Sequence, residues 1–183
     1  PLVPSISKEL QPLAQEAQWT KDIQSGKYAN SEDFVKGQTP VFRGGESTPA
    51  VNRMREGATS EYTGTAFSRQ KVQAQKYGDL MLSKYIPESK ILMPKDMSPE
   101  ILKNLRKEFN NLDVTDADSV STERLITKVM ELAKQNNKDA ADISAFFKGM
   151  AEEAEIRVLN SSALKTKSQL TDFYNKVVRK VSK

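Results

Sequence analysis

Among the 183 residues there is no cysteine and no histidine. Without cysteine no disulfide can staple the chain, so its fold has to stand on hydrophobic burial and hydrogen bonding alone. The same absence removes thiolate nucleophiles, Cys-ligated zinc and iron–sulfur sites, His-based triads and imidazole ligands. No metal site is expected. Any chemistry must run on carboxylates, hydroxyls, Arg, Lys and Tyr. Hydrophobic residues make up 37% of the chain and the mean hydropathy is −0.61, so it is polar but still carries material for one core. That length suits one domain better than two.

No apolar run approaches the roughly 20 residues of a membrane-spanning helix, so no membrane span is expected. The chain begins at Pro1, and no targeting signal can be read upstream of it. Net charge is +4, and its distribution is uneven. From Ser161 onward, Lys165, Lys167, Lys176, Arg179, Lys180 and Lys183 face one acid, Asp172. A basic helix of this kind can meet an acidic partner, or it can be a solvated face. It lacks the interleaved aromatics of a nucleic-acid platform, and no nucleic-acid partner is expected.

Along the chain, residues 1–36 read as a polar lead-in with one helix, presenting Leu13, Ala17, Thr20 and Ile23 on a shared face. Gly26 and Asn30 read as stop and loop signals. Thr39–Gly45 reads as a strand running into a flexible turn, where Gly44 and Gly45 allow a close backbone approach. A short helix is expected around Val51–Glu56. Tyr62–Phe67 is β-like, with Ser68 as the cap of a helix over Arg69–Tyr77 that Gly78 ends. Asp79–Pro87 alternates as a strand. Ser98-Pro99 starts a helix carrying Ile101, Leu102, Leu105 and Phe109. Ser121 caps a second, with Leu125, Ile126, Val129, Leu132 and Ala133, and a helical stretch is expected from about Asp139 to Met150. The period then changes to two over Ala154–Leu159, which predicts a half-buried strand. Leu170, Phe173, Tyr174, Val177, Val178 and Val181 complete an amphipathic helix. The class is α+β.

Three stretches place polar groups on or beside predicted strands: Phe42-Arg43-Gly44-Gly45, Tyr62–Ser68, and Glu152-Glu153-Ala154-Glu155-Ile156. An arginine beside two glycines suits an anion clamp, because its fork binds bidentately and the glycines clear space; a surface ion pair is the plainer use. Glu153 and Glu155, two apart on a strand, project from one face, either as an acidic edge or as a carboxylate pair aimed into a cleft.

In order, these stretches resemble the R-S-E branch of the mono-ADP-ribosyltransferase superfamily. That branch has an aromatic-Arg pair, then an aromatic-x-Ser-Thr-Ser strand, then Glu-x-Glu followed by aliphatic residues. Phe42-Arg43 matches the first and Glu153-Ala154-Glu155-Ile156 the third. Gly64-Thr65-Ala66 stands where Ser-Thr-Ser belongs, so Thr65 alone keeps its hydroxyl, with Thr63 or Ser68 as substitutes in a shifted register. Asp79–Met93 resembles the family's central strand ending in Ile-Pro.

The resemblance implies a transferase-like domain over residues 37–183 with a helical insertion at about 98–150, built on two small β-sheets that form an NAD-type cleft. It implies NAD as substrate, with Arg43 clamping a phosphate and Gly64, Thr65 and Ser68 lining the cleft. Glu155 would be the catalytic carboxylate and Glu153 would position an arginine acceptor. The chain is also similar to effectors that plant-pathogenic bacteria inject by type III secretion, which implies virulence, the host cytosol, and a host protein or peptide as partner of a monomer. Three readings stay open: an active transferase, an inactive module of the same fold that binds a peptide or host protein, and a small interaction protein docking through its basic tail.

Overall fold

A computed structural model describes residues 10–45, 65–112, 120–147, 154–159 and 163–181. The helix expected at Val51–Glu56 lies outside them. The chain divides into two compact units, residues 1–38 with 165–183 and residues 39–164. Among the described residues no helix is long and apolar enough to cross a membrane.

The first unit holds α1 (Leu10–Gln24), α2 (Ser31–Lys36) and α7 (Lys167–Val181). Asn30, read as a loop signal, caps α2, its Oδ1 accepting the Asp33 N–H at 2.9 Å. Phe34 of α2 stacks on Phe173 at 6.3 Å, and Trp19 meets Phe34 edge-on at 5.7 Å. Among the α1 side chains described, from Gln15 on, Gln15, Trp19 and Ile23 are buried, while Ala17 is exposed. The helix is therefore rotated from the face that the pattern predicted. An indole has far more apolar area to hide than an alanine methyl, and Trp19 decides the orientation. Helix α7, expected within the second segment, packs with α1 and α2.

The second unit runs β1 (Thr39–Gly45), β2 (Thr65–Ser68), α3 (Lys71–Gln75), β3 (Leu80–Ile86), β4 (Ile91–Leu92), α4 (Pro99–Asn110), α5 (Val120–Gln135), β5 (Ala140–Asp142), α6 (Ile143–Phe146) and β6 (Glu155–Val158). The strands form one mixed sheet in the order β3-β1-β2-β6-β5-β4, antiparallel except between β4 and β5. The α+β class is therefore the observed one, but the described strands build one sheet where two small sheets were expected. Within it two ladders meet narrowly. β1 and β3 pair through seven residues each, whereas β1 and β2 share the single pair Phe42↔Ser68.

One face carries Val41, Phe67, Leu82, Ile86, Ile156 and Val158 in a common core. On the other, Leu92 and Ala141 join Leu105, Leu125, Val129 and Phe147 from the helical segments. Ser98 caps α4 as expected, accepting the Ile101 N–H. The stretch expected to be helical from Asp139 instead begins with β5, which lies between β4 and β6. Ala140 and Ala141 are fully buried there. Alanine's helical preference is worth less than a ladder filled on both sides, which tertiary pairing alone supplies.

Candidate functional site

Strand order brings the three singled-out stretches onto neighbouring strands. Arg43 lies on β1, Thr65 and Ser68 bound β2, and Glu155 opens β6. The register is specific: Phe42 opposes Ser68, and Ser68 opposes Glu155. Residues directly opposed share a face. Ser68 and Glu155 are therefore on one face with Phe42, and Arg157, two residues along β6, joins them. Thr65 opposes Val158 and belongs to the other face. Of the candidate hydroxyls on described residues, Ser68 stands beside Glu155 and Thr65 does not.

Arg43 starts, like Thr65, from the face of Val41 and Phe67, opposite to that of Ser68 and Glu155, and its guanidinium carbon lies 6.0 Å from the centre of the Phe67 ring. Its Nη1 donates to Ala66 O at 3.1 Å, across the seam where β1 and β2 make only one registered pair. No carboxylate among the described residues pairs with it. Burial, and secondly the like charge of Arg157, hold the guanidinium below its ordinary pKa. A half-buried cation without an acid partner among the described residues has the chemistry to meet an anion.

Glu155 is held from two sides. Its N–H donates to Ser144 Oγ of α6 at 2.5 Å. Its carboxylate Oε1 accepts from Arg157 Nε, and Arg157 Nη2 also lies 3.7 Å from Glu123 Oε1 at the start of α5. Ala154, just before it, has φ 51°, a left-handed conformation that costs a residue with a Cβ about 1 kcal/mol or more. β6 begins at Glu155, so the extended geometry that would align Glu153 with Glu155 does not run through Ala154. Glu153 and Gly64 lie outside the described residues.

The turn after β2 is tied down by Arg69, expected as the first residue of a helix that instead starts at Lys71. Its N–H donates to Ala154 O at 3.0 Å. Its Nε sits 2.9 Å from Asp142 Oδ2, a charge contact in which the N–H does not point along the axis. Its other nitrogens reach Glu88, whose carboxylate also accepts from Thr39 Oγ1. Burial pushes the Glu88 pKa up, but these hydrogen bonds and the Arg69 charge outweigh it and leave the group below its ordinary value. Asp142 Oδ1 meanwhile caps α6 through the Ala145 N–H at 3.0 Å. A lone Arg after a strand carries no sequence signal for this role, because its partners come from three distant segments.

Ser68, expected to cap the following helix, ends β2 instead. Its Oγ accepts the Gln70 N–H at 3.0 Å, and α3 starts one residue later with Gln70 as its N-cap. The close approach predicted at Gly44 is made by the chain itself: a Cβ on Gly44 would lie 2.0 Å from Ala74 O of α3. No family model matches the chain, and neither a curated protein nor a solved structure matches it.

Proposed function

We propose that this chain carries an ADP-ribosyltransferase-type site along β1, β2 and β6, with NAD as substrate and an arginine of a host protein as acceptor. The observation that carries the reading is the cross-strand partnership of Ser68 with Glu155; Arg43, on the strand next to Ser68, starts from the opposite face and crosses the seam at Ala66. Ser68 takes the hydroxyl role that Gly64 and Ala66 cannot fill. Arg43 supports it as a half-buried cation without an acid partner among the described residues, suited to the NAD diphosphate.

In this reaction the bond from the ribose to nicotinamide breaks, and its electron pair leaves with nicotinamide. An acceptor guanidinium nitrogen bonds to the same carbon and gives up a proton. Glu155 stabilises the positive charge that develops on the ribose, and its value lies in being fixed beforehand. The hydrogen bonds from the Glu155 N–H to Ser144 Oγ and from the Arg69 N–H to Ala154 O supply that fixing. In this reading the protein acts as a virulence effector in the host cytosol.

A second reading is favoured by one contact. Arg157 already occupies the Glu155 carboxylate, which suits an inactive transferase-fold module that binds a peptide or host protein. Calorimetric titration with NAD separates the two. Saturable heat that Arg43→Ala or Glu155→Ala weakens by about tenfold or more supports the transferase. No heat at millimolar NAD removes it and leaves the binding module.

A further inference from the structure

The basic helix at the end of the chain is not used by the site on β1, β2 and β6, yet it borders a feature of its own unit. Helices α1 and α7 leave between them a groove of about 600 Å³. Its apolar lining is Ala17 of α1 with Phe173 and Val177 of α7. Burial of Trp19 turns α1 so that Ala17 and Thr20, two residues of the face that the sequence pattern marks as inward, line this open groove instead. The apolar row of α7 runs on beyond it, since Val181 follows Val177 by one turn and is 60% exposed.

Charge lies along the rim of the same groove. Asp172, Lys176 and Lys180 are four apart and form one ridge of α7. Beyond Asp172 the helix carries Lys176, Arg179 and Lys180 and no acid. Among the described residues no ion pair takes up any of these three cations, although Glu16 also lines the groove. Complementing the helix dipole accounts for Arg179 and Lys180 in the last turn, but Lys176 stands before it.

We propose that this groove docks an acidic amphipathic helix of a partner protein, its apolar side chains seated on Ala17, Phe173 and Val177 and its carboxylates meeting Lys176 and Lys180. The occupant follows from shape and charge together. A channel between two helices receives the ridge of a third, and unpaired ammonium groups on the rim select carboxylates over cations. Asp172 and Glu16 repel those carboxylates and confine them to the C-terminal half of α7. An anionic bilayer would also attract the lysines, but a flat surface leaves the lining of a groove unfilled. The inference stands apart from the transferase reading, because it uses no residue of the sheet.

The test titrates the full chain, followed by amide NMR, with a blocked helix-forming peptide of Leu, Ala and Glu. A control peptide carries Lys in place of Glu. The Glu peptide should saturate with shifts at residues 16–24 and 172–181, and the Lys peptide should bind at least about tenfold more weakly. Lys176→Glu/Lys180→Glu should weaken the Glu peptide by about tenfold or more, whereas Asp172→Asn should tighten it by about twofold. All three side chains are exposed, so these variants keep the fold. Ala17→Glu, which sets a carboxylate in the lining, should abolish binding. No saturable response to the Glu peptide, equal binding of both peptides, or indifference to the double lysine variant overturns the proposal. Vesicles of phosphatidylserine and phosphatidylcholine supply the last arm: binding to them through Lys176 and Lys180, with none to the peptide, overturns it in favour of a lipid surface.

Discussion

Two junctions in the same sheet are built on different principles. β1 and β3 face each other through seven consecutive pairs from Thr39↔Ile86 to Gly45↔Leu80, so backbone hydrogen bonding holds them and side chains have little to add. β1 and β2 share one pair, and the rest of that seam is closed by other means. Arg43 reaches across to Ala66 O, α3 lies against Gly44, and Arg69 ties the end of β2 to Glu88 and Asp142. Arg43 and Ser68 meet at the second junction, and Glu155 lies one strand beyond it on β6. A complete ladder has no room for a ligand and no spare polar groups. A seam closed by side chains has both, at the expense of stability that must be supplied by specific contacts.

The sharpest way to break this contrast is Gly44→Ala. The added methyl would stand 2.0 Å from Ala74 O and 2.9 Å from Gly78 O, both backbone atoms that cannot swing aside. Urea unfolding should show a loss of about 3 kcal/mol or more. A loss below about 1 kcal/mol would mean that α3 does not depend on its seat against β1.

Asp142→Ala is next. It removes the cap of α6 and one acid partner of Arg69 from a carboxylate only 9% exposed, and about 2 kcal/mol should disappear. Asp142→Asn keeps the cap acceptor and should recover part of that in the same assay. If alanine and asparagine cost the same, the charge contact with Arg69 accounts for the effect and the cap for none.

Ala154→Gly should act in the opposite direction. Relief of the left-handed conformation at φ 51° is offset in part by glycine's greater freedom in the unfolded chain, leaving a gain of about 0.5 kcal/mol in melting experiments. A destabilised Ala154→Gly protein would mean that the methyl itself packs at the seam.

An effect of similar size is set by pH. Glu88 has its folded pKa below the ordinary 4.5, so its contribution to stability is present above that value and fades as pH falls through the folded pKa. With the side chain 47% exposed, solvent screening leaves about half a kcal/mol. Glu88→Gln should flatten that part of the acid limb of a stability–pH curve, and an unchanged slope would show that the network does not hold the seam.

Much of this architecture was legible residue by residue. The strand at Thr39–Gly45, the Ser98-Pro99 helix start and the alternation through Ile156 and Val158 are local signals, and each element formed where its own few residues pointed. The close approach at Gly44 was legible too, although its partner is the chain's own α3 rather than a ligand. Other features were not. β5 is three residues of Ala-Ala-Asp that favour a helix in isolation. Ser68 looked like a helix cap because the residues after it are polar, but its place as the last residue of β2 depends on β6 arriving beside it.

By itself the sequence determined the chemical inventory and the local elements: no thiol, no imidazole, an arginine beside two glycines, and carboxylates at the head of an alternating strand. Those follow from composition and short-range periodicity, which act over a turn or a few strand residues. Only the tertiary structure decided which of these groups meet. Whether Ser68 or Thr65 stands beside Glu155, whether Trp19 or Ala17 is buried, and whether Arg157 extends to solvent or folds back onto two carboxylates all depend on register and rotation. These are set by partners far away in the chain, because a strand or helix face has no preferred neighbour until another surface is packed against it.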